Sequence, residues 1–383
     1  MFDVIKQFFI LGLMSFGGPA AHIGYFHKQF VGQLKWLSEE EFASIVAISH
    51  LLPGPGSSQV GFAIGYHRAG WLGGLSAFIG FTLPSFALMI AFAYFGNIFH
   101  DNSVLENIIH GLKLLAVVVV ADAIFGMFSN FCKNKLTQAL CILTAISILL
   151  FQSIAVQMIA IIVAGALGYK FLSMPNDSNQ SSTPLTLNKP IFVISIILFG
   201  ASFIAYEHDM LSAFFSYFQA GSLVYGGGHV VLPLLQNITS DTLSHDTFLT
   251  GYALAQGVPG PMFTLATFLG YNSHTDAPLL GATLATIGIF LPGFLLLTCF
   301  KSSWSAVSSN PTLKGITAGI NASVVGLLIA ALYQPIFTSA VINVSDFAVV
   351  LIGLLALKSQ KLSILKLIFV VLSCNFLLMQ FTF

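Results

Sequence analysis

Apolar stretches occupy nearly the whole of this chain, interrupted by glycine and proline clusters and by brief polar turns. The pattern predicts helical segments at roughly 3–33, 39–68, 72–98, 104–128, 136–151 and 153–172. A second series follows at roughly 190–206, 211–236, 247–271, 279–300, 314–334, 335–356 and 363–381. A helix needs ~20 apolar residues to cross a bilayer, and the length leaves room for about ten spans. The expected class is an all-α, polytopic integral membrane protein. One polar stretch in mid-chain, Ser173–Lys189, is rich in Ser, Asn and Pro and reads as a flexible linker. It separates an N-terminal unit, 1–172, from a C-terminal unit, 190–383, which begins with an extra leading transmembrane helix.

The two units repeat each other. SFGGPAAHIG from Ser15 answers VYGGGHVVLP from Val224, an offset of 209. LLPGPGSSQVGF from Leu51 answers GVPGPMFTLATF from Gly257, an offset of 206. IGFTLPSF from Ile79 answers IGIFLPGF from Ile287, an offset of 208. Three matches in the same order describe one duplication with small insertions.

Composition supports the membrane reading: 56% of residues are hydrophobic and 7% charged, against about 25% charged in soluble domains. Net charge is zero, and no basic run exists for nucleic acid. The N-terminal stretch lacks a charged n-region followed by a small-residue cleavage site and reads as a retained membrane segment. Cys132, Cys141, Cys299 and Cys374 have no metal or redox spacing, so neither a metal nor another cofactor is expected.

Lys and Arg favour the cytoplasmic side of short loops. If the first two segments of each repeat are hairpins hinged at their Gly/Pro breaks, Lys6, Lys28, Lys35, Arg68, Lys133, Lys135, Lys170, Lys189, Lys301, Lys314, Lys358, Lys361 and Lys366 share one face. Glu207, Asp209, Asp241, Asp246 and Asp276 take the other, and Lys113 alone fits poorly. An odd number of crossings then separates the repeats, so their topologies are inverted, with broken or re-entrant helices at the midplane.

Inverted repeats with interrupted segments in matching positions point to a transporter whose site lies where the breaks meet. The breaks are Gly17-Gly18-Pro19, Pro53-Gly54-Pro55-Gly56, Gly226-Gly227-Gly228 and Pro259-Gly260-Pro261. Half-helices starting at Ala20, Ser57, His229 and Met262 would present free amides and the positive ends of helix dipoles, an anion site. Ser57, Ser58, Gln59 and Thr264 add side-chain donors, although membrane Ser and Thr equally serve helix packing. Arg68, the only arginine, carries a fork suited to oxyanions, or sets topology. His22 and His229 each follow the first break of their repeat and suit an anion contact, a coupling proton or a structural bond. His50 precedes the first Pro-Gly-Pro and is a weaker candidate. Asp122, within VVVVADAIFGM, is a coupling candidate or a partner for Lys113. Glu39, Glu40 and Glu41 after Ser38 read as a helix start.

Beyond these residues, the chain resembles the chromate ion transporter family in its long, two-domain form, over almost its full length. The resemblance rests on GGPAAHIGYFHKQFV, WLSEEEF, LLPGPGSSQVGFAIGYHRAG and GFTLPSF, then on GSLVYGGGHVVLPLL, GYALAQGVPGP and GINASVVGLLIAALY. It implies export of chromate, with sulfate as the look-alike substrate, from the cytoplasm across the bacterial inner membrane, linked to proton-motive force or anion exchange. It also implies importance for Pro53, Gly54, Pro55, Ser57, Gln59, Arg68, Gly227, His229, Pro259, Gly260 and Pro261. Asp122 stands where the family pattern has an uncharged residue, a departure that bears on coupling and cargo. The expected partners are a small oxyanion and the lipid bilayer, with a homodimer left open. An anion channel is the alternative within transport. An intramembrane enzyme is the alternative outside it, and no nucleophile motif supports one.

Overall fold

The computed structural model describes residues 1–16, 18–98, 103–151, 153–173, 187–204, 209–225, 228–301, 310–359, 362 and 364–379. Among these residues every regular element is helical. Most of the expected linker, 174–186, and the breaks' Gly17, Gly226 and Gly227 lie outside the described residues.

The first helix, α1 (Phe2–Met14), stops at Ser15, and α2 (Gly18–Phe26) runs on as a π-helical turn, His27–Gln33. Phe8 stacks on Phe30 at 4.8 Å and meets Phe26 edge-on at 5.5 Å. Gln29 Nε2 donates to Gln7 Oε1 at 2.9 Å. Contacts between residues 7–8 and 26–30 mean that the chain doubles back on itself at the Gly/Pro break. The next pair does the same. α3 (Glu39–Leu51) starts in a capping box, in which Ser38 Oγ accepts from Glu41 N and Glu41 Oε2 accepts from Ser38 N. It ends at Pro53-Gly54-Pro55, where missing amide donors and fixed proline φ stop the helix. α4 (Gly56–Ile98) then returns, bringing His67 Nε2 to 3.4 Å from Glu41 Oε1.

Within α4 the backbone leaves helical geometry at Ala69 and Gly70, the latter at φ +60°. The two arms fold against each other, with the backbones of Gly65 and Gly73 in contact. Three helices follow: α5 (Ser103–Phe131), α6 (Lys135–Leu150) and α7 (Ile154–Phe171).

The second half opens with α8 (Lys189–Ala201) and then keeps the order of the first. α9 (Asp209–Leu223) leads to a 3₁₀ turn, Gly228–Val230, and α10 (Val231–Thr239). α11 (His245–Gly257) meets Pro259-Gly260-Pro261, a 3₁₀ turn at Met262–Thr264 and the returning α12 (Leu265–Ser273). Thr242 Oγ1 and Ser273 Oγ lie 3.2 Å apart, closing that hairpin. α13 (Pro278–Cys299), α14 (Pro311–Ala331), α15 (Val344–Ser359) and α16 (Ile364–Met379) complete the chain. Among the described residues, four stretches are long and apolar enough to cross a membrane: Gly56–Gly96, Glu106–Phe131, Pro278–Cys299 and Pro311–Ala340.

The halves interlock. α5 of the first half packs against α15 and α16 of the second, while α14 of the second packs against α6 and α7 of the first. Small residues permit the close approach: Gly168 contacts Gly315 and Gly319, and Thr144 Oγ1 bonds Ser323 Oγ at 2.9 Å. At the centre, Phe62 stacks on Phe294 at 4.5 Å and Phe78 packs on Phe290 at 5.0 Å, joining α4 to α13.

Candidate functional site

The four breaks meet in pairs, each pair formed across the two halves. α1 ends at Ser15, whose carbonyl has no partner further along that helix. That carbonyl accepts the amide of Gly260 at 2.9 Å, in the Pro-Gly-Pro turn of the other half. Conversely, the amide of Gly54 in the first Pro-Gly-Pro turn donates to the carbonyl of Val224, beside the second half's glycine break, at 2.8 Å. Ser15 and Val224 are the residues that the sequence repeat aligns. Pro53, Gly54, Pro55, Pro259, Gly260 and Pro261 are all buried.

The turns themselves require glycine. Gly54 has φ +125° and Gly260 φ +100°, conformations that side-chain-bearing residues rarely adopt. A Cβ on Gly54 would lie 2.8 Å from Gly293 Cα, and one on Gly260 would lie 2.9 Å from Ser85 Oγ. Ser85 and Gly293 are again repeat-aligned, on α4 and α13. The junction is tightly packed in this conformation.

His22 connects its parts. It is buried, at 1% exposure, with Nε2 3.2 Å from the Ser15 carbonyl and Nδ1 3.2 Å from Ser57 Oγ. A carbonyl only accepts, so Nε2 carries the proton, and in the neutral ring Nδ1 must accept from the Ser57 hydroxyl. Ser57 lies in the first turn of α4, beside Gly56 at its start. Ser15 Oγ, Ser58 Oγ, Gln59 Oε1 and Thr82 Oγ1 are buried without hydrogen-bond partners. An unmet buried polar group costs about 1–3 kcal/mol, so a cluster of them at one junction calls for a polar ligand or water.

Other expected donors have different tasks here. Gln59 Nε2 donates to the carbonyls of Pro53 at 2.9 Å and Gly293 at 3.2 Å, so its amide holds the turn closed. Thr264 Oγ1 donates to the Pro261 carbonyl at 2.8 Å. His229 Nδ1 pairs with Tyr252 OH at 2.7 Å, inside its own half. Two of the four expected half-helix starts, at His229 and Met262, fall in single 3₁₀ turns, with α10 and α12 beginning only at Val231 and Leu265. The amide array of the second half is therefore shorter than the sequence suggests. The other two α-helices begin at Gly18 and Gly56 instead of Ala20 and Ser57.

Arg68 stands apart. It is exposed at the far end of the first arm of α4, eleven residues or about 16 Å from Ser57, with its guanidinium 5.4 Å over the Trp36 ring. It marks a rim, not the junction. His50, in the last turn of α3, is also exposed.

Asp122 does not pair with Lys113. Its carboxylate meets Lys358 Nζ at 2.6 Å, and Lys113 Nζ meets Asp246 at 2.6 Å. Lys113, the charge that fitted the sidedness pattern poorly, thus sits with an acid assigned to the outer face. A further pair, His110 Nε2 to Asp346 Oδ1 at 2.8 Å, links α5 to α15 and has no counterpart in the sequence reading. Ser15, Ser85, Gly293 and the Val224 carbonyl were also missed. The repeat register aligns them only with one another, Ser15 with Val224 and Ser85 with Gly293, so no residue already singled out led to them.

The family model for chromate transporters matches residues 2–169 and 211–379. A chromate transport protein of Pseudomonas aeruginosa is 27% identical over 336 residues, covering 85% of this chain and 79% of its own. One from Cupriavidus metallidurans is 25% identical over 368 residues, covering 94% and 89%. An uncharacterised transporter of Methanocaldococcus jannaschii is 29% identical over 342 residues, covering 86% and 82%. No solved structure matches significantly.

Proposed function

The chain belongs to the chromate transporter family, a family of membrane transporters and not of enzymes, and from that premise we propose a secondary transporter that exports chromate or a sulfate-like oxyanion from the bacterial cytoplasm. The dianion binds where the broken helices cross, at the start of α4, near the Ser57 and Ser58 hydroxyls. One observation carries this reading: each Pro-Gly-Pro turn donates its glycine amide to the break of the opposite half, Gly54 to Val224 and Gly260 to Ser15. A shift of one half against the other must open both bonds together, which frees two amides and two carbonyls at the same buried spot. Broken helices around a pseudo-symmetric centre are how rocking transporters expose a site to alternate sides.

The tight packing around Gly54 and Gly293 corresponds to an occluded state, which the anion enters only after the halves separate. His22 supplies the coupling. While its ring is neutral, Ser57 donates inward to Nδ1 and offers an incoming anion only lone pairs. A proton on Nδ1 reverses that bond, so Ser57 accepts from His22 and turns its O–H outward to the anion. Binding of proton and oxyanion then favour each other. Export of a dianion also gains from an inside-negative potential, ~2.3 kcal/mol per charge per 100 mV.

Uptake of radiolabelled sulfate and chromate into inverted vesicles, with and without an imposed pH gradient, tests the proposal. Saturable, gradient-responsive uptake is expected, reduced about tenfold or more in Ser57→Ala, roughly the loss of one hydrogen bond to a charged group. Non-saturating flux would make the protein a channel, and undiminished uptake by S57A would remove the site from the start of α4.

A further inference from the structure

A cavity of about 620 Å³ lies where α4 and α5 of the first half meet α11 and α12 of the second. Small-molecule sites span ~300–1,000 Å³, so the space suits a ligand and not a few waters. Its α4 wall starts at Phe92, seven residues or about 10 Å beyond Ser85, so it is separate from the helix crossing. More than half of the lining is apolar, including Phe92 and Phe95 of α4, Ile108 of α5 and Phe268 of α12. Phe92, Phe95 and Ile108 are exposed on stretches apolar enough to cross the bilayer, which makes the rim a border with acyl chains.

The polar part of the lining holds one cation, Lys113. Its side chain is 10% exposed and its ammonium donates to Asp246 Oδ1 at 2.6 Å. An ammonium has three donors, and Lys113 makes no other hydrogen bond among the described residues. Two donors of a desolvated cation are left for an acceptor inside the cavity, since an unmet buried charge is costly. Two acids share the lining: Asp246, 66% exposed, and Glu106, exposed and two turns before Lys113 on the same face of α5. Helix dipoles favour neither sign, because α5 and α11 begin beside the cavity while α4 and α12 end there. With two carboxylates to one ammonium, a free oxyanion is repelled. A ligand that fits has an anionic oxygen for Lys113, a cationic donor for the acids and an apolar tail for the rest.

We propose that the cavity is a site for one phospholipid with a primary-amine headgroup. Its phosphate sits on Lys113, its ammonium lies between Asp246 and Glu106, and an acyl chain runs along Phe92 and Phe268. Because both halves supply walls, the bound lipid strengthens the packing of one half on the other. The site is independent of which anion the protein carries.

Thermal unfolding of the delipidated protein in detergent tests this, with added ethanolamine, choline or glycerol phospholipids of identical acyl chains, or with inorganic phosphate. Ethanolamine lipid should raise the melting temperature by about 2–4 °C. Choline lipid, with no N–H for the acids, and glycerol lipid, with no cation, should give less than half that shift, and inorganic phosphate none. Lys113→Met should abolish the preference for ethanolamine over glycerol lipid. Glu106→Gln, an exposed substitution of small cost to folding, should shrink the preference for ethanolamine over choline lipid, and it serves alone if K113M does not fold. Equal shifts from the three lipids would mean bulk solvation, and a shift from phosphate would mean an ion site. Either result overturns the proposal, as does no shift at all or an unaltered preference in either variant.

Discussion

At the scale of single residues, His22 sits between partners with opposite demands, a carbonyl that only accepts and a hydroxyl that does either. Glutamine at this position keeps a donor and an acceptor but cannot take a proton. His22→Gln is expected to carry oxyanion at a rate that no longer responds to an imposed pH gradient, and a response equal to wild type would remove His22 from coupling. Gly54 carries a different constraint. With φ +125° and Gly293 Cα 2.8 Å from where a Cβ would stand, Gly54→Ala adds backbone strain of about 1–3 kcal/mol and a clash with backbone. Gly18→Ala is its control, since φ there is +78° but no atom lies within 4 Å of the added carbon. Thermal unfolding in detergent should find G54A the less stable of the two.

At the scale of elements, the helices are held in register by charges that join distant parts of the chain. Lys113 is buried at 10% side-chain exposure while its partner Asp246 is 66% exposed, and this asymmetry has a consequence for mutation. Removing the acid leaves a desolvated ammonium without a counter-charge, whereas removing the lysine leaves a carboxylate that water solvates. Asp246→Asn should therefore destabilise by about 2–3 kcal/mol, below the figure for a fully buried pair. Lys113→Met should cost less, and the double variant should resemble K113M alone. Melting temperatures in detergent check the order; equal losses for the two single variants would mean that the pair is screened. The Asp122–Lys358 pair, with Lys358 exposed and Asp122 half-buried, should contribute less by the same measure.

At the scale of the whole molecule, neither half is complete without the other. Each Pro-Gly-Pro turn finds its partner across the centre, and the long helix of each half packs against the last two helices of the other. If the doubled-back pairs α1–α2 and α3–α4 re-enter the membrane without crossing it, Lys28 and Lys35 lie on the same face as Lys6. Single cysteines at Lys28, Lys35 and Asp241, on a background lacking the four native ones, should react from outside intact cells only at Asp241. Labelling of either lysine position by an impermeant maleimide would mean that these segments cross the membrane fully.

The helical class and the positions of the breaks were legible because each depends on local chemistry: apolar length, proline's missing amide, glycine's freedom at positive φ. The candidate site was legible in part. Pro53 to Ser57 and Pro259 to Pro261 stand at the junction because the motifs that break a helix also expose its backbone. Ser15, the Val224 carbonyl, Ser85 and Gly293 were hidden, since what matters in them is a backbone group or the absence of a side chain, neither of which has a residue signature. Gln59 and Thr264 read as free donors and are engaged by carbonyls, and Asp122, for which Lys113 was one candidate partner, pairs with Lys358 while Lys113 pairs with Asp246. Such pairings depend on which helix face meets which, and burial on one face says nothing about the identity of the residue opposite. The sequence by itself determined that the helices break and where; only the tertiary structure decided that each break is completed by the other half, because a hydrogen bond between residues some 200 positions apart exists only once the two halves are folded against each other.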